Sequence, residues 1–115
     1  MLKIFGIKNC DSVRKAVKFL KLHEVPFEFI DFKVTPIKEK KIRSWVEKAD
    51  IKTLFNTHST TYRTLKLKEL NLDDEAKIEW LAKENMLIKR PVIDFDEKVI
   101  IGYNESEYLK TLLQK

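Results

Sequence analysis

Apolar residues recur along this chain with two different periods, and the switches between them divide it into elements. Leu2 to Phe5, β-branched and aromatic residues ahead of Gly6, predict a buried first strand. Beyond Cys10, the residues Val13, Ala16, Val17 and Leu20 fall at i, i+3, i+4 and i+7, the spacing of one helix face. Asp11 or Ser12 is the expected cap, because either side chain can accept a hydrogen bond from a first-turn amide. Phe27, Phe29 and Asp31 then share one side of a short strand, with Glu28 and Ile30 on the other. A connection this long predicts two parallel strands joined by a right-handed crossover.

Thr35-Pro36 is expected to open a second helix, with proline at the first position, where no amide bond is lost. Ile42, Trp45, Val46 and Ala49 supply its inner face, and shorter helical turns are expected at Ile51–Phe55 and Thr61–Leu65. Asp73 caps a further helix through about Glu84, with Ile78, Leu81 and Ala82 inward and Asn85 as its stop. Trp45 and Trp80 both sit in amphipathic patterns, so both are assigned to core packing. Pro91–Asp94, a turn near Asp94–Glu97, and Lys98–Ile101 read as a hairpin, followed by a last helix from about Glu105 to Leu113. The order is β-α-β, a block of helices, then β-β-α. That is a thioredoxin-like order with a helical insertion between its halves, although an unrelated α/β sandwich shares the pattern. The expectation is one domain over 1–115, with the insertion at about 35–85.

Composition narrows the function. Hydrophobic residues make up 43% of the 115, enough for a packed core, and two Gly with three Pro exclude a collagenous or low-complexity chain. The net charge of +5 favours anionic ligands or acidic partners, but the basic residues are scattered and form no tail. Lys38–Lys41 and Lys66–Lys68 lack the interleaved aromatics of single-strand binders, so direct nucleic-acid binding is not expected. Cys10 is the only cysteine, which excludes an internal disulfide and a multi-cysteine zinc site. His23 and His58 have no metal-ligand spacing with it, so no metal and no bound cofactor is expected. No apolar run reaches the ~20 residues that cross a bilayer, and the apolar start Met1–Ile7 is too short for a signal peptide. A lone thiol without such a signal fits the reducing cytoplasm.

Cys10 falls between the first strand and the first helix. Unpaired amides and the positive end of a helix dipole stabilise a thiolate, the nucleophilic form. Lys8 and Arg14 add positive charge and Asp11 opposes it. The competing reading is a small buried hydrophobe. Thr57–Arg63 is dense in hydroxyls and ends in a guanidinium, a set that can hold an oxyanion or a carboxylate, or equally cap a loop. Arg90-Pro91 precedes an apolar strand, which points to an edge strand or a cis peptide. Arg90 could pair with Asp94 or Asp31, or face the thiol.

Three segments in this order, Ile4-Phe5-Gly6-Ile7-Lys8-Asn9-Cys10-Asp11-Ser12-Val13, then Leu54-Phe55-Asn56-Thr57 with Thr60-Thr61-Tyr62-Arg63, then Met86–Ile93, stand out. With Ile101-Gly102-Tyr103-Asn104-Glu105, the chain resembles the arsenate-reductase-like family, ArsC/Spx/YffB, over essentially its full length. The resemblance implies a glutaredoxin-like mixed sheet with a helical insertion, a redox cysteine at Cys10 and a cis-proline at Pro91.

The Gly-Ile-Lys-Asn-Cys-Asp opening is similar to the YffB-like branch, for which glutathione-dependent thiol reduction has been proposed. That implies a thiol-dependent reductase with Cys10 as nucleophile and Arg63 and Arg90 holding a carboxylate or oxyanion. Lys8, Asn9, Ser12 and Pro91 would complete the substrate or glutathione site. Glutathione would be the co-substrate, glutathione or a glutaredoxin the partner, and a small oxidised or anionic molecule the substrate. Arsenate reductases proper carry Asn-Pro and a histidine upstream of the cysteine, where Ile7-Lys8 and Gly6 stand here. They also carry three arginines, of which Arg63 and Arg90 match two, while Ile101–Asn104 holds none. Spx-type regulators, which bind RNA polymerase, sense oxidants through Cys-x-x-Cys; Val13 occupies the second position here. A regulator of this kind and an arsenate reductase proper are the alternatives.

Overall fold

A computed structural model describes residues 1–113. Four strands, β1 (Leu2–Gly6), β2 (Phe27–Asp31), β3 (Val92–Phe95) and β4 (Lys98–Ile101), form a sheet in the order β2-β1-β3-β4. β1 lies parallel to β2, as the crossover length requires, and antiparallel to β3. The β3–β4 hairpin turns on Asp96 and Glu97, both with positive φ (46° and 61°), so β3 runs on to Phe95 and the turn is tighter than expected. The helices are α1 (Asp11–Leu22), α2 (Glu39–Val46), α3 (Ile51–Leu54), α4 (Thr60–Thr64), α5 (Asp74–Lys83) and α6 (Glu105–Leu112). This is the thioredoxin-like arrangement with the expected insertion.

Alternation along β1 explains why both faces of the sheet are covered. Leu2 and Ile4 join Ala16, Phe19 and Leu20 of α1 and Tyr108 of α6 in one apolar layer. Phe5 points the other way, into a second layer with Trp45 of α2, Leu54 of α3 and Leu81 of α5. A strand buried on both sides loses the polar half of its pattern, which is why Leu2–Phe5 is so apolar. Phe5 meets Trp45 edge-on at 4.9 Å between ring centres, and Phe19 meets Tyr108 likewise at 5.4 Å. Trp45 is fully buried, and Trp80 is half-buried, packed against the same layer with the Lys83 ammonium over its ring.

Two helix starts differ from expectation. α2 begins at Glu39, not at Thr35-Pro36. The reason is Asn85, whose Oδ1 accepts from the Ile37 N–H (2.7 Å) while its Nδ2 donates to the Ile37 carbonyl (3.0 Å). This bracket engages the Ile37 carbonyl that a helix from Pro36 would offer to Lys41 N–H, which bonds Lys38 O instead, and the Ile37 side chain is seated in the core. α1 is preceded by Cys10 as its N-cap, rather than by Asp11 or Ser12. Asp73 and Asn104 cap α5 and α6, accepting from Ala76 N–H and Glu107 N–H. On the surface Arg43 of α2 bonds both Glu39 and Glu75, the latter on α5, and this holds the Glu75 carboxyl below its ordinary range.

Candidate functional site

The loop Ile7–Cys10 carries the chain from β1 into α1, and its path is set by a close approach. A Cβ on Gly6 would lie 2.6 Å from Val13 Cγ2, so only glycine lets the end of β1 meet the first turn of α1. Val13, at the position where a second redox cysteine would stand, is therefore a packing residue, 2% exposed. Ile7 is buried in the insertion-side layer, which leaves Lys8 and Asn9 exposed and Cys10 half-buried against that layer.

Cys10 has extended backbone angles (φ −145°, ψ 125°), and no side chain caps the first turn of α1. Its carbonyl accepts from Arg14 N–H at 2.9 Å, starting the helix, while its thiol stands where a capping oxygen ordinarily would. A twelve-residue helix presents unpaired amides and the positive end of its dipole there. Arg14 pairs with the Asp11 carboxylate and donates to Asn9 Oδ1 at 3.1 Å. The negative charge closest in sequence to the thiol is thereby held by a cation. Half exposure and this placement together disfavour the buried-hydrophobe reading of Cys10.

Pro91 approaches from the facing strand. The register Lys3–Asp94, Ile4–Ile93, Phe5–Val92 carries Gly6 to the level of Pro91, so the cysteine loop and the proline leave the same end of the sheet. The Arg90-Pro91 peptide is cis and Pro91 is buried. Its carbonyl accepts from Gly102 N–H at 2.7 Å, and the Gly102 carbonyl accepts from the buried Tyr108 hydroxyl at 2.8 Å. Gly102 has φ +83°, a conformation few other residues adopt. Burial pushes the Tyr108 phenol far above its ordinary range, and burial together with Glu105 raises Tyr103.

The two arginine segments are joined by a contact that no sequence period signals. Phe55 and Ile88 form an isolated antiparallel bridge, with Asn56 N–H donating to Leu87 O and Lys89 N–H donating to Leu54 O, each at 2.9 Å. This fastens the start of the hydroxyl loop to the segment that leads into Arg90. Within that loop, Ser59 caps α4 by accepting from Tyr62 N–H. Arg63 is exposed and donates to His58 O at 3.0 Å and Thr60 Oγ1 at 3.5 Å. Of these hydroxyls, Ser59 therefore serves a local cap and Thr60 accepts from the Arg63 side chain.

Arg90 is half-buried with Nη1 3.4 Å from Met86 Sδ, and it pairs with neither Asp94 nor Asp31, correcting that expectation. Asp94 is instead taken by Trp45 Nε1 (3.1 Å) and Lys41 Nζ (3.5 Å). Among the described residues neither Arg63 nor Arg90 has a carboxylate partner, and neither bonds Cys10 directly. Both guanidiniums keep donors for an anion. Ser12 is half-buried in the first turn of α1. Among the described residues no group of three or more His, Cys, Asp or Glu gathers as for a metal ion, and no helix is long and apolar enough to cross a membrane.

A cysteine at the head of the first helix, a cis-proline on the facing strand and this sheet order define a thioredoxin-like protein. More narrowly, the chain belongs to the ArsC family, which matches residues 5–111. An uncharacterized protein of Haemophilus influenzae is 38% identical over 109 residues, covering 94% of this chain and 96% of that one. The regulatory protein MgsR of Bacillus subtilis is 32% identical, covering 99% and 92%. The solved structure of a YffB protein superposes with a TM-score of 0.92 at 30% identity, over 97% of this chain and 99% of that one.

Proposed function

We propose that this protein is a thiol-dependent reductase in which Cys10 is the nucleophile and an external thiol, glutathione or a glutaredoxin, regenerates it. The observation that carries this reading is the half-exposed Cys10 thiol heading α1 with no competing cap. The Cys10 thiolate attacks the glutathione sulfur of a mixed disulfide between glutathione and a substrate thiol, and the substrate thiol leaves with the electron pair. A glutathione thiolate then attacks the Cys10–glutathione disulfide, releasing oxidised glutathione and restoring Cys10. One external glutathione resolves each turnover, the other half of the oxidised glutathione having come from the mixed disulfide, because Val13 leaves no internal resolving cysteine. Arg63 and Arg90 hold the anionic part of substrate or glutathione, and Lys8, Asn9, Ser12 and Pro91 border the same end of the sheet.

Intact-mass measurement after exposure to oxidised glutathione tests this. One glutathionyl group is expected on the native chain and none on Cys10→Ser, with reduced glutathione removing it during turnover of a mixed-disulfide substrate. Arg63→Ala and Arg90→Ala should each weaken glutathione binding by roughly 1.5–3 kcal/mol, and lysine should not restore it, lacking the planar fork. A Cys10 that reacts no faster than a free thiol overturns the proposal.

The likeness to MgsR favours a second reading, a regulator that binds RNA polymerase as Spx-type proteins do. Polymerase capture that survives Cys10→Ser, Arg63→Ala and Arg90→Ala, without glutathionylation, would select it.

A further inference from the structure

Beginning at Lys8 beside the cysteine loop and running along the open edge of the sheet, an unfilled apolar groove of about 610 Å³ lies between α1 and β2. Val13 and Val17 of α1 form one wall, and Phe27 and Phe29 of β2 form the other. Val17, Phe27 and Phe29 are only half-buried. Among the described residues β2 has no strand on its outer side, and of its backbone groups there only the Asp31 carbonyl is taken by the following turn, through Val34 and Thr35 N–H. Edge strands are ordinarily blunted by charge, proline or a covering element, and two aromatic side chains on an open edge are a surface that needs a cover.

The rim specifies the cover. Lys8, Arg14, Lys18 and Lys21 border the groove, and no carboxylate lines it. Arg14 is engaged by Asp11, but Lys8, Lys18 and Lys21 have no acidic partner among the described residues. We propose that this groove docks an extended acidic segment of a partner protein. Its apolar side chains seat between Val17, Phe27 and Phe29, its carboxylates reach the three lysines, and its backbone pairs with β2.

Charge decides against a second copy of this chain, since two-fold pairing at β2 would bring the lysine rims together. Spacing decides against a single-headed amphiphile. From the start of α1 at Asp11, with Lys8 lying before it, to Lys21 is about 15 Å of helix, the length of roughly four to five residues of extended chain. A row of cations of that length matches several carboxylates along a strand better than one head group. β-Strand addition supplies the main-chain bonds, and the groove supplies the side-chain selectivity.

The probe is a fluorescein-labelled peptide of alternating leucine and glutamate, compared by anisotropy with the same peptide carrying lysine for glutamate. The acidic peptide is expected to bind, the basic one not, and added salt to weaken binding. Lys18→Glu/Lys21→Glu lies on exposed positions and leaves the core untouched. It should lower affinity roughly tenfold, from two lost attractions and two new repulsions. Backbone amide shifts should centre on β2 and α1. Equal binding of both peptides, indifference to the charge reversal, shifts centred elsewhere, displacement of the peptide by stoichiometric laurate, or a dimer closed over β2 would each overturn the proposal.

Discussion

Replacing Gly6 by alanine tests the contact that places Cys10. The added methyl would sit 2.6 Å from Val13 Cγ2, closer than real side chains approach. Val13 cannot swing aside, because a β-branched residue in a helix has one strongly preferred rotamer and this one is 2% exposed. Overpacking of this kind costs about 1–3 kcal/mol. Alanine recovers ~0.4–1 kcal/mol by restricting the unfolded chain, so Gly6→Ala should be destabilised by up to roughly 2.6 kcal/mol. Val13→Ala removes two methyl groups at ~0.8 kcal/mol each, with a cavity term on top. In Gly6→Ala/Val13→Ala the new methyl enters the space Val13 vacated, so the clash disappears and the cavity shrinks. The double variant should then be more stable than the sum of the singles by about 1–2 kcal/mol, within the range for touching residues.

Urea unfolding of the four proteins measures this directly. Iodoacetamide modification of Cys10 reports the same contact at the site. The Gly6→Ala rate should depart from the native rate as the first turn of α1 is displaced, and the double variant should return toward it. Single effects that simply add, or an unchanged Cys10 modification rate in Gly6→Ala, would refute the claim that this approach fixes the cysteine loop.

Asn85→Ala removes the bonds to Ile37 N–H, Ile37 O and Leu81 O, and should cost about 1.5–4 kcal/mol in urea unfolding. Tyr108→Phe leaves the Gly102 carbonyl unpaired, at a cost of about 1–3 kcal/mol near neutral pH. The native phenol has its proton affinity raised by burial, so the folded chain keeps a proton that unfolded tyrosine releases near pH ~10. Its contribution is complete below that pH and falls as pH rises further; unfolding curves from neutral to strongly alkaline pH should show the decline in the native protein and a shallower one in Tyr108→Phe.

The strands and long helices were legible because each carries its own period. Leu2–Phe5 and Val13–Leu20 announce a strand and a helix without reference to anything distant, and the loop between them places Cys10. Expectation failed where a side chain far along the chain decides local structure. Pro36 reads as a helix start until Asn85, 48 residues away, takes the Ile37 backbone. Cys10 was not read as a cap because cysteine lacks a strong acceptor, whereas Asp11 and Ser12 have one. Charge offers Arg90 the carboxylates of Asp94 and Asp31 as well as the thiol, yet the Trp45 indole and Lys41 already occupy Asp94.

The same distinction runs through the candidate site. Its members come from segments that no period connects: the cysteine loop, the hydroxyl loop with Arg63, and the strand entry at Arg90-Pro91. They are assembled by pairings a single sequence does not display, namely the Gly6–Val13 approach, the Phe55–Ile88 bridge and the Tyr108–Gly102–Pro91 chain of hydrogen bonds. None of these supporting residues has reactive chemistry that would single it out. Residue type could nominate Cys10, Arg63 and Arg90, but the case that two of these segments lie together rests on a phenylalanine and an isoleucine. A substitution that breaks that bridge while sparing every reactive side chain should therefore damage the site as surely as losing an arginine.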